Sequence, residues 1–175
     1  MTQALRPFVV PIAISLLAVL FGHGLGIAFG AAEDSIHAAL QSRADAVLAD
    51  VYGGDADKAK AVVAQSWTYV KRAHMHAGAL GTAGLVVSLL MAALGGPWLR
   101  ARQAAALAAS VGGLGYGVCW WVAAFAAPGR GSTGAAKEAH AWLAMPSSGL
   151  VVLSVLGALG LVVAVLARRT AASDP

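Results

Sequence analysis

The chain has 175 residues, 59% of them hydrophobic and 11% charged, with a mean hydropathy of +0.73. Soluble domains carry about 25% charged residues, so this composition excludes an ordinary water-soluble domain, and four long apolar stretches leave no length for a second folded unit. A net charge of +4 and an isoelectric point near 9.6 do not indicate nucleic acid, because the basic side chains flank apolar runs; that placement suits lipid headgroups.

Apart from Arg6, charge is confined to residues 33–72, 98–102, 130–138 and 168–174. The expected fold is all-α: a four-transmembrane-helix bundle forming one membrane domain over residues 1–175, with spans at about 8–31, 75–94, 104–127 and 142–167. Each reaches the roughly 20 apolar residues that cross a bilayer core. Alternating β patterning is absent, and lipid satisfies no backbone group, so the spans must be helices. The first apolar run is longer than the 7–15 residues of a secretory signal, which predicts a retained span.

Between the first two spans, residues 33–73 read as an extramembrane helical hairpin. Ile36, Leu40, Ala44, Val47 and Val51 form one apolar stripe on its first arm. Gly53-Gly54 breaks that arm, and Asp55 is the expected N-cap of a second, which carries Val63, Trp67 and Val70. The second span is expected to stop at Gly95-Gly96-Pro97, the third at Pro128-Gly129 and the fourth at Arg168-Arg169. Cys119 is the single cysteine, so no internal disulfide can form. Trp98, Trp120, Trp121 and Trp142 lie near span ends and read as interfacial anchors.

An even number of spans places both termini on one side. That side holds Arg6, Arg100, Arg102, Arg168 and Arg169 in short segments. The other holds seven Lys/Arg among seven Asp/Glu over a longer stretch. The density of basic residues predicts cytoplasmic termini in a bacterial inner membrane, although the raw count favours the opposite side.

The five histidines all fall on the hairpin side: His23 within the first span, His37 after it, His74 and His76 opening the second, and His140 before the fourth. At 100° per residue, His74 shares a face with Gly78, Gly81 and Leu85, where another helix can approach closely. His76 points about 200° away, beside Leu80, Ala83 and Val87. His140 heads a stripe of Ala144, Ser147, Val151, Ser154 and Ala158, and His23 borders a face with Ser15, Gly22, Gly26 and Gly30. Ionisable groups inside a membrane suggest function, and imidazole ligates heme iron and other metals. The rings differ in depth, so they cannot all serve one iron; His74 with His140 is the expected pair, His76 next, and His23 a deeper candidate. His37 reads as a surface group. Met75 and Met145 flank histidines and read as filler.

The run Arg72-Ala73-His74-Met75-His76-Ala77-Gly78-Ala79-Leu80-Gly81 resembles the HxH-containing helix of heme-copper oxidase subunit I. It is more similar still to short four-helix membrane proteins that resemble that subunit, in which His-x-His-x-x-x-x-Gly opens the second helix and His-x-x-Leu the last. The matches are His74, His76 and Gly81, then His140 and Leu143. The resemblance covers about half the chain and implies metal binding and a cytochrome-like role. Three features depart from it: Ala144 stands where a further histidine is common, Gly78 where an Asn is common, and the hairpin is an insertion.

The leading expectation is therefore a membrane heme b protein in electron transfer or diatomic gas binding, without a complete oxidase centre. Heme b is indicated because no CxxCH attachment motif is present. The alternatives are a non-enzymatic structural or assembly subunit of a membrane respiratory complex, or a copper-handling membrane protein. Expected partners are the lipid bilayer and a larger membrane redox complex or a second copy of the chain.

Overall fold

The structure, a computed structural model, describes residues 2–171, and all the regular secondary structure among them is helical. A short helix, α1 (Thr2–Leu5), and a 3-10 turn at Arg6–Phe8 lead into α2 (Val9–Asp45). A single turn, α3 (Leu48–Tyr52), follows, then α4 (Ala56–Leu94), α5 (Leu99–Arg130), α6 (Thr133–Ala139) and α7 (Ala141–Ala171). The segment containing α2, and α4, α5 and α7, are each long and apolar enough to cross a membrane.

The helices extend past their apolar stretches. α2 runs on to Asp45 after a kink at Ala32 (φ −146°, ψ 26°), immediately before Glu33-Asp34. Residues 33–73 are thus the end of α2, the turn α3 and the start of α4. Gly53 takes the left-handed conformation (φ 64°) that ends α3. Asp55 caps α4, its Oδ1 accepting the Lys58 backbone N–H at 2.9 Å. Of the expected stripe, Leu40 and Ala44 are buried, Ile36 and Val47 partly so, and Val51 is exposed. On α4, Val63 and Val70 are buried and Trp67 packs beside them.

α4 stops at Leu94, ahead of Gly95-Gly96, as its sequence predicts. α5 does not stop at Pro128; it continues to Arg130 and ends at the left-handed Gly131 (φ 67°). A proline near a helix end forfeits one N–H bond, and here the Pro128 carbonyl accepts the buried Tyr52 hydroxyl at 2.7 Å.

Two buried clusters define the two ends of the bundle. Phe8, Met91, Ala106 and Ala158 meet at one, joining the beginnings of α2 and α5 to the later parts of α4 and α7. Leu40, Tyr52, Val63, Ala124, Ala127 and Ala136 meet at the other. Successive long helices therefore run in opposite directions, and the N-terminal start of α2 and the end of α7 share one end of the bundle. α2, α4 and α5 pack mutually, whereas α7 rests almost wholly on α5.

Lipid offers no hydrophobic drive between helices, so association depends on close packing and hydrogen bonds. The glycines permit that approach. A Cβ added at Gly22 would lie 2.5 Å from the Gly78 nitrogen, and one at Gly81 2.8 Å from the Val19 nitrogen. One at Gly117 would lie 2.8 Å from the Ala77 Cβ. Deeper in the bundle the buried hydroxyls of Ser15 and Ser110 bond at 2.8 Å, linking α2 to α5.

Candidate functional site

His74 lies between α4 and α2. Its Nδ1 donates to the Gly22 carbonyl at 2.7 Å. Because that oxygen can only accept, the proton sits on Nδ1, and in the neutral ring Nε2 is the bare nitrogen. The ring fills the space above Gly26, where a Cβ would stand 2.8 Å from its Cε1. Phe29 meets it edge-on at 5.3 Å between centroids. The small face that carries His74 is therefore used, as its sequence suggests, for close helix approach.

His76 points to a different neighbourhood. It meets Tyr116 edge-on at 5.0 Å and stacks on Trp120 at 5.9 Å and 21°. Both partners are on α5, one turn apart, on a face that does not meet α2. Arg72, one turn before His76, places its guanidinium 5.0 Å from the Trp120 ring centre and 5.4 Å from that of Tyr69. This aromatic and cationic cluster leaves little trace in the sequence. Its only signal there is the i, i+4 spacing of Tyr116 with Trp120 and of Arg72 with His76, which puts each pair on one helix face.

His140 joins α6 to α7. Its Nδ1 donates to the Ala136 carbonyl at 2.7 Å, and its own backbone carbonyl lies 3.6 Å from the Cys119 thiol. The stripe that follows it packs on α5: Ser147, Ser154 and Ala158 are buried, and a Cβ at Gly112 would lie 2.6 Å from the Ser147 carbonyl. His23 is exposed on α2 and donates Nδ1 to its own helix at Val19, 2.9 Å away. His37 meets the Trp67 ring at a tilt of 42°, 4.4 Å between centroids, and lies 3.7 Å from Glu33. Met75 and Met145 are 56% and 72% exposed and turn away from the packed interior.

His74 and His140, the expected axial pair, thus take different neighbours: the α2 backbone for one, the α6 backbone for the other. Among the described residues no three His, Cys, Asp or Glu side chains converge to hold a metal ion. A heme between α2, α4 and α5 at the level of His74 does not fit this packing, because the Gly22–Gly78 and Gly117–Ala77 approaches close the gap a macrocycle would need. One feature does suit an iron or copper ligand. His23, His74 and His140 each give Nδ1 to a backbone carbonyl, the contact that orients an imidazole for ligation through Nε2.

No protein-family model matches the chain, and no curated protein or solved structure is similar to it at a significant level.

Proposed function

We propose that this chain is a non-enzymatic helical subunit of a larger membrane complex, inserted with both termini in the cytoplasm of a bacterial cell and with residues 33–73 outside the bilayer. The observation that carries this reading is the use made of His74. The side chain best placed for chemistry is spent on an interhelical hydrogen bond to Gly22 and on filling the notch at Gly26. Three helices in near backbone contact form a stiff scaffold, and α7, attached mainly along α5, offers most of its circumference for another helix or for lipid.

Crosslinking in native membranes tests this reading. Photoreactive residues at Leu156 and Leu159, 58% and 60% exposed on α7, should yield discrete adducts with one larger membrane protein. Probes at Leu16 and Leu20 on α2, 50% and 68% exposed, should react with lipid alone. Lipid adducts at all four sites would overturn the reading.

The second reading is a heme b protein that carries electrons or binds a diatomic gas. It is favoured by the Nδ1–carbonyl bonds of His74 and His140, and in this packing it requires ligation through single imidazoles, not the His74–His140 pair. An absorption spectrum after expression with ample heme separates the two. A Soret band abolished by His74→Ala or His140→Ala would establish the heme reading; a colourless, folded protein would remove it. Metal analysis of the same preparation tests copper.

A further inference from the structure

A shallow polar pocket of about 250 Å³ lies where α4 enters its apolar stretch, lined by Gln65, Thr68, Tyr69, Arg72 and Thr133. Its lining contains no carboxylate, and among the described residues Arg72 has no acidic partner. The guanidinium instead lies over the rings of Tyr69 and Trp120, 5.4 and 5.0 Å from their centres, and those rings meet each other edge-on at 4.8 Å. A cation–π contact holds the guanidinium in place without using up its N–H donors. Gln65 accepts the Thr133 hydroxyl on Oε1 at 2.9 Å, which leaves its amide NH2 with no protein acceptor. Beside the pocket, Trp120 keeps its indole N–H away from solvent with no partner at all. The Arg72 guanidinium and the Gln65 amide thus face the pocket as donors with no protein acceptor.

We propose that this pocket binds a phosphate-type anion, with Arg72 as the bidentate donor and the Gln65 amide supplying a further N–H group, while the Trp120 ring under the guanidinium senses the binding. The shared ligand chemistry is a phosphate oxygen pair, from a lipid headgroup or from a soluble phosphate. The position of the pocket, three residues before the uncharged stretch 75–94, is the depth at which a headgroup phosphate meets a membrane protein. The Arg72 fork matches phosphate geometry bidentately, as a lysine would not.

The test uses full-length, delipidated protein in detergent, labelled with 15N on tryptophan indoles; the Trp120 signal is the one absent from Trp120→Phe. It is titrated with short-chain phosphatidylglycerol, short-chain phosphatidylcholine, glycerol 3-phosphate and inorganic phosphate. A saturable shift of the Trp120 signal, weakened at least tenfold by Arg72→Gln, is the expected result. A response to the two lipids assigns the ligand to a headgroup, and an equal response to the soluble phosphates assigns it to them; either supports the anion site. Lys71→Gln, which removes an exposed charge one residue away, should leave the affinity unchanged. An unmoved Trp120 signal with all four compounds would overturn the proposal. So would an Arg72→Gln protein that binds as tightly as the wild type, or equal weakening by Lys71→Gln.

Discussion

Gly22 shows how one missing methyl sets helix spacing. The Cβ of an alanine there would stand 2.5 Å from the Gly78 backbone nitrogen, an atom that cannot swing aside. Overpacking of this kind costs about 1–3 kcal/mol, so Gly22→Ala should lower unfolding stability in detergent by that amount. Gly24→Ala, two residues along and with no heavy atom near its would-be Cβ, should leave it unchanged. Equal effects of the two substitutions would mean that α2 and α4 are not in contact at this level. Tyr52 provides a second case at the same scale. Its hydroxyl donates to the Pro128 carbonyl from a buried position, and burial raises the phenol above its ordinary value of 10.0. Below pH 10 the phenol is neutral in folded and unfolded chains alike. Above it the unfolded chain loses its proton first, so the stability this group contributes declines as pH rises toward the folded-state value. Tyr52→Phe should cost about 1 kcal/mol at neutral pH and should remove that share of the alkaline decline; an unchanged pH profile in the variant would place the titration elsewhere.

Arg102 plays the corresponding part for a whole element, because it finishes α4 from the next helix. Buried near the start of α5, it donates to the Met91 carbonyl at 2.7 Å and to the Gly96 carbonyl at 3.1 Å. Helix-terminal carbonyls need such partners, and hydrogen bonds from a charged donor contribute about 1.5–3 kcal/mol. Arg102→Met should therefore destabilise the bundle by that order, and Arg102→Lys, with a single ammonium for two acceptors, by less. A thermal melt in which methionine is tolerated as well as lysine would show that the two carbonyls find water instead. This role was not legible in the sequence, where Arg102 reads only as one of several basic residues beside a loop. The long helices were legible because hydropathy marks them directly, and the close-packing face of Gly78 and Gly81 because its period is 3.6. The continuation of α5 through Pro128 was not, and the Tyr52 hydroxyl that meets the Pro128 carbonyl is 76 positions away in sequence. The histidines were legible as polar groups on particular faces. Their partners were not, because helical angles do not say which neighbour a face meets: His74 meets α2, and His76 meets the Tyr116–Trp120 face of α5.

At the scale of the molecule, the cluster of Phe8, Met91, Ala106 and Ala158 brings the start of α2 and the later part of α7 to one end of the bundle. Arg6, Arg100, Arg168 and Arg169 all belong to that end. Arg168 lies 4.3 Å over the Trp98 ring, whose residue holds a left-handed φ of 63°, so the short α4–α5 connection and the end of α7 are pinned together. Arg102 is buried at the end of α4, whereas the other four are exposed and are the charges that bear on orientation. They sit in short segments within a few residues of apolar stretches, where basic residues act most strongly on insertion, whereas those of the opposite end are spread along residues 43–72 and 130–137 among seven acidic residues, with Lys71, Arg72 and Arg130 alone as close to a span. A fluorescent protein fused after Pro175 should therefore mature and fluoresce in a bacterial host, and alkaline phosphatase at the same point should stay inactive. Replacing Arg6, Arg100, Arg168 and Arg169 with alanine, while Arg102 keeps its place under α4, should exchange the two results in a measurable share of molecules. An active phosphatase on the unaltered chain would put the termini outside, and with them the whole proposed orientation would be reversed.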